Sequence, residues 1–491
     1  MWNKDTIKNI LKDKIGDDLF IVVSNREPYI HKWREGKVTV DKPASGLVTA
    51  MDPMLQACQG IWVASGTGNA DRNVVDSKGR VKVPPGKGTY TLKRIWLTKE
   101  EEMGYYYGFS NGTLWPLCHI AFARPIFDAR DWEHYRRVNR RFADAVLEEV
   151  GDRKAFVWVQ DYHLALLPAM LKERRPDLLV AQFWHIPWPN PEVFRICPWV
   201  REIVEGLLGN DLVGFHVQMH CENFLNTVDQ TMEVRIDRER STIFHHGGVG
   251  TKVLPFPISV DFELINEDVD KDYSYNEVVQ DVYQSLPQKY KCIAVGVDRI
   301  DYTKGILERL KAIDRFLEKY PQMVERFVYL QMGALSRIHI GLYKQLNEEI
   351  NKVVEEINWK YATDRWQPIL LLRRNLTYPE ILVLYKLGDV CLVSSLHDGM
   401  NLVAKEYIAS RKNDDGVLIL SRFTGAAREL ENGAIVVNPY DTEAFADALY
   451  AAVTMPRKER RRRMQTLRSI VSENNIYRWG GSFISELARL A

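Results

Sequence analysis

Two carboxylates, Asp398 and Glu406, stand eight residues apart in the stretch His397-Asp-Gly-Met-Asn-Leu-Val-Ala-Lys-Glu-Tyr407, which follows a short apolar run. Because an α-helix turns once in about 3.6 residues, side chains at this spacing lie on roughly one helix face. The first would stand near the helix N-terminus, where free backbone amides attract anions. One carboxylate could then hold sugar hydroxyls and the other a ribose. The alternative is that Asp398 is only a helix cap and Glu406 only an exposed side chain.

A pair of cations, Arg299 and Lys304, follows the apolar run 293–297 in Asp298-Arg-Ile-Asp-Tyr-Thr-Lys-Gly305. A departing nucleoside diphosphate gains negative charge as its sugar bond breaks, and two fixed cations at a helix N-terminus would stabilise that charge without a metal ion. The spacing therefore predicts a diphosphate site. The alternative pairs these cations with Asp298 and Asp301 in surface salt bridges.

Three predicted strands of the first half also end in polar residues. Arg26 ends one of them, Asp161 follows the run 156–160, and His185 follows the run 178–183. Open α/β sheets bind ligands at the carboxyl edge of their strands, so we expect an active-site wall here, with Arg26 as an anion clamp. Singly, these residues could be a surface arginine, a helix cap and a hydrogen-bonded buried histidine.

Short apolar runs that indicate buried parallel strands recur along the chain. They lie at 19–23, 156–160, 178–183, 212–215, 293–297, 327–332, 369–372, 390–393, 417–420 and 435–437. Helical patterns such as 134–150 and 306–319 separate many of them, which predicts a doubly wound α/β arrangement that occurs twice. The two prolines of Leu254-Pro-Phe-Pro-Ile258 indicate a hinge near residues 255–262.

Composition excludes several classes of protein. A chain of 491 residues, 46% hydrophobic and 27% charged, predicts two folded domains. Its 66 Lys and Arg balance 65 Asp and Glu, so no general basic field is available to hold nucleic acid or an anionic membrane. Six dispersed cysteines without metal-ligand spacing favour a reducing cytosol. Residues 1–18 predict an amphipathic surface helix, and no run is long enough to span a membrane.

Several longer motifs together resemble the trehalose-6-phosphate synthase family. They are SNR (24–26), YYYGFSNGTLWP (105–116), VQDYHLALLP (159–168), WHIPWP (184–189), DRIDYTKG (298–305), SR (336–337), HDGMNLVAKEY (397–407) and SRFTGAAREL (421–430). They occur in the family's order, and the match runs from about residue 24 to residue 438. The resemblance therefore covers nearly the whole chain.

The resemblance implies an α/β GT-B fold, in which two Rossmann-like domains with parallel sheets face each other across a cleft. Residues 1–257 would bind the acceptor, with a C-terminal helix at about 470–491 packing back on them, and residues 258–469 would bind the nucleotide sugar. The implied reaction transfers glucose from UDP-glucose to glucose-6-phosphate with retention, releasing UDP, without a metal or other cofactor. It further implies a cytoplasmic enzyme whose partners are small molecules, not nucleic acid or membrane, and which could be a homo-oligomer.

Site residues carry over motif by motif. The implied donor-binding residues are Gly46, in the N-terminal loop that closes on the donor, with His185, Arg299, Lys304, Asp398, Gly399, Met400, Asn401, Leu402 and Glu406. The implied acceptor-binding residues are Arg26, Tyr106, Trp115, Asp161 and Arg337. Of these, Asp161, His185, Arg299 and Lys304 are expected to be catalytic, and no metal ligand is expected.

The sequence also departs from the family. Ser65 stands where a second tryptophan usually lies against the acceptor, His397 replaces an arginine, and the segment 69–92 is longer and richer in Lys and Gly. Losing an aromatic wall would suit a glucosylglycerol-phosphate synthase, whose acceptor is glycerol-3-phosphate. A relative that makes a non-glycosidic linkage and a catalytically silent sensor of sugar phosphates are the remaining alternatives.

Overall fold

A computed structural model of the protein describes residues 2–43, 46–245, 250–274, 276–287, 289–334, 337, 339–374 and 376–490. The strands are β1 Leu19–Arg26, β2 Ile30–Arg34, β3 Lys37–Asp41, β4 Ile61–Ser65, β5 Arg80–Val83, β6 Tyr90–Ile95, β7 Ala155–Gln160, β8 Leu179–Phe183, β9 Leu212–Phe215, β10 Arg235–Asp237, β11 Thr242–Phe244, β12 Gly250–Pro255, β13 Cys292–Arg299, β14 Phe327–Ala334, β15 Ile369–Leu372, β16 Val390–Val393, β17 Val417–Ser421 and β18 Ile435–Val437.

The helices are α1 Lys4–Lys14, α2 Gly46–Cys58, α3 Lys99–Glu101, α4 Trp115–His119, α5 Ala129–Val150, α6 Leu167–Arg174, α7 Pro191–Phe194, α8 Val200–Leu207, α9 Gln218–Thr231, α10 Phe262–Asp268, α11 Glu277–Ser285, α12 Ile306–Lys319, α13 Gly341–Tyr361, α14 Tyr378–Leu387, α15 Leu402–Ser410, α16 Ala427–Leu430, α17 Thr442–Thr454, α18 Arg457–Glu473 and α19 Ile476–Ala488. Nine of the ten predicted apolar runs lie within strands, the run 178–183 begins one residue before β8, and both predicted helical patterns lie in helices.

The chain divides into two compact units. The N-terminal unit comprises Trp2–Ile258 together with Ile476–Ala491, and the C-terminal unit comprises Ser259–Asn475. The N-terminal unit is built on a ten-stranded sheet in the order β10-β11-β12-β9-β8-β7-β1-β4-β6-β5, with a separate β2-β3 hairpin. Its central strands are parallel, and antiparallel pairs form both edges of the sheet.

The C-terminal unit has a six-stranded, fully parallel sheet in the order β15-β14-β13-β16-β17-β18. Counted from β13, this is the strand order 3-2-1-4-5-6 of a doubly wound dinucleotide-binding fold. Helices cover its apolar strands, and the core includes the fully buried Phe316, Phe327 and Leu449. The predicted α/β class with parallel sheets is therefore confirmed.

Helix α19, at the end of the chain, packs on the sheet of the N-terminal unit. The ring of Phe483 stacks on Trp158 of β7, with centroids 4.3 Å apart and planes 8° apart. At Gly480, an added Cβ would lie 1.8 Å from the terminal methyl carbon of Met54, so the absence of a side chain allows this close approach. Apolar burial thus holds the last helix on the first unit.

Two further features concern the described residues as a whole. None of their helices combines the length and the apolar character needed to cross a membrane. All six cysteines are free thiols, and only Cys58 is not fully buried.

Candidate functional site

Each sheet has one point from which successive strands are added in opposite directions. The predicted site residues of each unit lie at that point of its sheet. In the N-terminal unit this point lies between β1 and β7, which carry Arg26 at the end of β1 and Asp161 just after β7. In the C-terminal unit it lies between β13 and β16, which precede Lys304 and Asp398. Open α/β sheets bind ligands at such switch points, because the helices leave there toward opposite faces of the sheet and open a crevice.

In the N-terminal unit, Arg26, Tyr106, Asp161, His163 and His185 form what we call the Arg26 cluster. Arg26 is exposed, and its Nη2 donates to the Tyr106 hydroxyl at 3.1 Å. The Tyr106 ring stacks on His163, with centroids 5.7 Å apart and planes 10° apart. The structure thus brings two of the predicted acceptor residues into direct contact.

A wide helical segment, Glu102–Leu114, holds Tyr106 in place. The side-chain amide of Asn111 donates to the Tyr106 carbonyl at 2.7 Å, and the Tyr162 hydroxyl donates to Asn111 at 2.9 Å. The next residue after this segment, Trp115, is buried and packs between His119 and Tyr162 at ring distances of 4.0 and 6.0 Å. Trp115 therefore lies beside Tyr162, next to His163 of the cluster.

Asp161 joins the ends of two strands. Its Oδ1 accepts from the backbone amide of Tyr162 at 2.9 Å, so it caps a single 3₁₀ turn, and from the backbone amide of His185 at 3.2 Å. Its φ of 71° lies in the left-handed region, which is strained for a residue with a side chain and typical of functional turns. Asp161 is therefore a cap, and it also contacts His185 as the strand-end argument expects, while its role in an active site stays a prediction.

His185 is held as a neutral imidazole. Its Nε2 lies 2.9 Å from Oε1 of the fully buried Gln160, and its carbonyl accepts from His216 at 3.0 Å. Desolvation by burial lowers the pKa of His185 to about 3. Since Gln160 presents a carbonyl oxygen, Nε2 carries the proton, and His185 acts as a neutral group at ordinary pH.

Two other predicted residues of this unit have known positions. Ser65 ends β4, is buried, and is the register partner of Arg26, which places it beside the Arg26 cluster. Gly46 is the first residue of α2, whereas residues 44–45 of its predicted loop lie outside the described residues.

In the C-terminal unit, Arg299, Asp301, Lys304, Arg337 and Asp398 form what we call the Lys304 cluster. The ammonium of Lys304 donates to Oδ2 of Asp398 at 2.5 Å. The same oxygen accepts from Ser395 at 3.1 Å and from Asn401 at 3.2 Å. Three donors thus fix one face of the Asp398 carboxylate.

The prediction that Asp398 and Glu406 share one helix face is wrong. Helix α15 begins at Leu402, so Asp398 lies in the loop before it, and Asn401 is the helix cap that accepts from the amide of Ala404 at 3.2 Å. The loop keeps a non-helical path because backbone bonds tie it to the following segment: Asp398 donates to the Phe423 carbonyl, and the amide of Gly425 donates to the Asp398 carbonyl. Capping by Asn401 stops the helix from extending back to Asp398.

The alternative of surface salt bridges for this region is also wrong. Asp298 and Asp301 are both buried, and neither lies at the surface. Asp298 pairs with the fully buried Arg309 at 2.7 Å, and Oδ2 of Asp301 accepts from Nη1 of Arg337 at 3.3 Å. Ser336, which precedes Arg337 in the SR motif (336–337), lies outside the described residues.

Buried contacts hold the turn that presents Lys304 in place. Gly305 has φ +61°, and a Cβ there would lie 2.2 Å from the Ser394 carbonyl oxygen, so only glycine fits. The hydroxyl of Ser394 donates to the Gly305 carbonyl at 2.8 Å and accepts from Nε of Arg309 at 2.9 Å. These buried contacts fix the height of the turn above the sheet.

Glu406 lies on α15 with its carboxylate partly buried. The hydroxyl of Tyr385 donates to Oε2 of Glu406 at 2.8 Å. Burial raises the pKa of Glu406 to about 7, against the opposing effect of the Tyr385 hydrogen bond. The backbone from Gly399 to Leu402 leads directly into the same helix, so its amides lie at the helix N-terminus.

Sequence reasoning missed several residues that hold the site together, among them Gln160, His163, Arg309 and Ser395. Gln160 and His163 lie inside the motif VQDYHLALLP (159–168), but the motif does not indicate which side chains are in contact. Arg309 lies outside the motifs, and only its burial in the folded unit identifies it. In the described part of the chain, no group of three or more His, Cys, Asp or Glu side chains is placed to hold a metal ion.

Comparison with known proteins supports the resemblance found in the motifs. Residues 18–489 match the model of glycosyltransferase family 20. The chain is 38% identical over 483 residues to a trehalose-6-phosphate synthase from Mycobacterium marinum, covering 96% of this chain and 94% of that protein.

Solved structures agree with the fold as well. An α,α-trehalose-phosphate synthase (UDP-forming) from Burkholderia xenovorans, in complex with glucose-6-phosphate, is 31% identical and matches with a TM-score of 0.83 over 96% of this chain and 99% of that one. A protein from E. coli bound with UDP-2-fluoro glucose is 31% identical and matches with a TM-score of 0.84, covering 96% and 98%. The predicted GT-B fold and the predicted glycosyltransferase class are confirmed, and the chain belongs to glycosyltransferase family 20.

Proposed function

We propose that this protein is an α,α-trehalose-6-phosphate synthase, which transfers glucose from UDP-glucose to glucose-6-phosphate with retention and releases UDP. The observation that carries the proposal is the Lys304 cluster, which sets Lys304 and Arg299 at the strand-switch point of a 3-2-1-4-5-6 sheet. Both the position and the charges suit a nucleoside diphosphate. The related proteins with UDP-2-fluoro glucose and glucose-6-phosphate support the choice of substrates.

The proposed donor contacts all lie in the C-terminal unit except those of Gly46 and His185. Lys304 and Arg299 neutralise the diphosphate, Glu406 accepts from the ribose hydroxyls, and Asp398 with the 399–402 backbone holds the glucose. Lys304 is suited to this because Asp398 fixes its ammonium at 2.5 Å before substrate arrives. A preorganised cation stabilises the leaving group without a reorganisation cost during the reaction.

The proposed acceptor contacts are Arg26, Tyr106, Trp115 and Asp161 in the N-terminal unit and Arg337 in the C-terminal unit. Arg26 and Arg337 would bind the sugar phosphate, since guanidinium groups match phosphate geometry. Asp161 would accept from an acceptor hydroxyl, and the neutral His185 would lie beside the transferred glucose. We accordingly propose the N-terminal unit as the acceptor-binding domain and the C-terminal unit as the nucleotide-sugar-binding domain.

In the proposed reaction, the bond between the glucose anomeric carbon and the UDP oxygen breaks, and the anomeric oxygen of glucose-6-phosphate bonds to the same face of that carbon. The proton of the attacking hydroxyl passes to the departing phosphate oxygen. No protein nucleophile is required, and the cations of the Lys304 cluster carry the developing charge.

The test is to incubate the protein with UDP-glucose and, separately, with glucose-6-phosphate or glycerol-3-phosphate as acceptor. We expect UDP release and a phosphorylated disaccharide with glucose-6-phosphate. The absence of UDP release with either acceptor would refute the enzyme and leave a sugar-phosphate sensor.

One observation favours a second candidate, a glucosylglycerol-phosphate synthase. Ser65 lies in register with Arg26, so a small side chain occupies the strand end beside the predicted phosphate clamp. A narrower acceptor such as glycerol-3-phosphate would fit a site without an aromatic wall. UDP release with glycerol-3-phosphate alone would replace the first proposal with this one.

A further inference from the structure

Asp301 is a buried carboxylate that holds two parts of the Lys304 cluster at once. Its Oδ1 accepts from the amide of Thr303 at 3.0 Å and from the Thr303 hydroxyl at 2.9 Å, which fixes the turn that presents Lys304. Its Oδ2 accepts from Arg337 at 3.3 Å and from the Tyr343 hydroxyl at 3.2 Å. One oxygen therefore faces the predicted diphosphate side, and the other faces the predicted acceptor-phosphate arginine.

Tyr343 supports Arg337 together with Asp301. We call the contacts of Asp301 with Thr303 its first arm and its contacts with Tyr343 and Arg337 its second arm. Its hydroxyl accepts from Nη1 of Arg337 at 2.7 Å while donating to Asp301, so the guanidinium is held directly and through one relay. Arg337 has φ +51°, and its side chain is only 5% exposed. A buried guanidinium on a strained backbone needs this support to keep one orientation.

The charge of Asp301 is maintained by its surroundings. Burial opposes ionisation, but Arg337, Arg299, the Thr303 amide and Lys304 outweigh it and lower the pKa of Asp301. Asp301 therefore carries a negative charge among three cations that await anionic groups. It keeps those cations from repelling one another while no substrate is bound.

We infer that Asp301 is a positioning residue shared by both phosphate-binding parts of the site, through Thr303 toward the diphosphate cations and through Tyr343 toward Arg337. This inference rests on the proposed function for the two ligands. It assigns Asp301 no contact with either substrate. Its removal weakens both phosphate sites, whereas removal of one arm weakens one site.

Three variants separate the arms. Asp301→Ala removes both, Tyr343→Phe removes the relay to Arg337, and Thr303→Val removes the hydroxyl bond to Oδ1 while leaving the backbone bond. Calorimetric titration with UDP and, separately, with glucose-6-phosphate gives two Kd values per variant without needing turnover. Tyr320→Phe is the matched control, because it removes a tyrosine-to-aspartate bond to Asp447 at the surface of the same unit.

The expected changes follow from the bonds removed. Hydrogen bonds to charged groups are worth roughly tenfold or more in affinity, so Asp301→Ala should raise both Kd values at least about tenfold. Tyr343→Phe should raise the Kd for glucose-6-phosphate about tenfold and leave the Kd for UDP within about twofold. Thr303→Val should raise only the Kd for UDP, by about threefold. The control should change neither.

A rise in only one Kd for Asp301→Ala, or equal rises in both for each single-arm variant, would overturn the inference. If Asp301→Ala does not fold, the two single-arm variants decide, because their selective effects cannot come from general destabilisation. Wild-type protein that binds both ligands but forms no product would refute the proposed function and leave this test intact. If Tyr343→Phe leaves the Kd for glucose-6-phosphate unchanged, the relay is refuted.

Discussion

The Arg26 cluster and the Lys304 cluster hold their functional side chains by different forces. In the Arg26 cluster the contacts described above involve a neutral group on at least one side: Arg26 donates to the Tyr106 hydroxyl, the Tyr106 ring stacks on an imidazole, and Asp161 accepts from backbone amides. In the Lys304 cluster two cations lie against carboxylates that are partly or fully buried, Lys304 against Asp398 and Arg337 against Asp301. Neutral contacts tolerate the loss of one member, whereas a broken buried ion pair leaves an uncompensated charge.

This difference suits the two proposed tasks. A departing diphosphate changes its charge during the reaction, so its site gains from fixed and preorganised cations. An acceptor phosphate keeps its charge, and an exposed arginine held by a hydroxyl can bind and release it. We therefore expect loss of Lys304 or Arg299 to reduce the rate and loss of Arg26 to raise the acceptor KM.

The largest effect is expected for Lys304→Ala. The substitution removes a cation from the proposed leaving group and leaves Asp398 without its ammonium partner, so kcat should fall about 100- to 1,000-fold. Steady-state assays of UDP release would measure it. Lys319→Ala, which removes a surface lysine from the same unit, is the control and should keep full activity. A kcat within about threefold of wild type for Lys304→Ala would contradict the charge-based role.

Arg26→Ala should raise the KM for the acceptor by roughly 10- to 100-fold, because a guanidinium bond to phosphate is charge-assisted. The Kd for UDP should stay unchanged, since Arg26 is not among the proposed donor contacts. Acceptor titrations at saturating UDP-glucose, with calorimetry for UDP, separate the two. The surface variant Arg136→Ala, on α5, serves as the control. Equal losses of affinity for the acceptor and for UDP would contradict the proposed difference between the Arg26 cluster and the Lys304 cluster.

Glu406 should make donor binding depend on pH. Its carboxylate form accepts ribose hydroxyls, and its pKa is about 7, so UDP should bind several-fold more tightly at pH 8 than at pH 6. Tyr385→Phe removes the hydrogen bond that lowers this pKa and should move the midpoint to higher pH. Glu406→Gln controls for the titration of UDP itself, and an identical pH profile in that variant would refute the assignment.

The same pKa gives a stability test. A carboxyl whose pKa is raised on folding contributes stability below its unfolded value of 4.5, and that contribution is lost as pH rises through about 7. Relative to wild type, Glu406→Gln should therefore gain Tm between pH 5 and pH 8, by roughly 2–4 °C. The control Glu356→Gln, at an exposed helix position, should show no such gain. Parallel Tm curves for all three proteins would count against the burial effect.

The sequence predicted all six strands of the C-terminal sheet but only β1, β7, β8 and β9 of the ten strands in the N-terminal sheet. Runs such as 390–393 and 417–420 are buried on both faces and read as continuous apolar segments. Strand β3 was missed because it lies in a two-stranded hairpin with most side chains exposed. Strand β4 is buried throughout, and it too was absent from the predicted strands.

The site was predictable as a set of motifs but not as a set of contacts. Parallel strands brought Asp161 and His185 together as the sheet argument required, because adjacent strands end at one edge. The helix argument failed at Asp398, since periodicity does not indicate that Asn401 caps the helix and that α15 begins only at Leu402. The roles of Asp301 and Tyr343 depend on contacts between residues 42 positions apart, and no local pattern encodes those.

The smallest effect is expected for Tyr106→Phe, which tests how far neutral contacts can be weakened. The variant loses the bond from Arg26 to the hydroxyl but keeps the ring that stacks on His163. Because Arg26 is exposed, water can replace the lost hydroxyl, so the bond is worth only about 1 kcal/mol and the acceptor KM should rise about threefold to sixfold with kcat unchanged. Tyr106→Ala, which also removes the stacked ring, should have the larger effect. If Tyr106→Phe lowered kcat as strongly as Lys304→Ala, the Arg26 cluster would not be the tolerant one, because the loss of one neutral hydroxyl would then have stopped the chemical step.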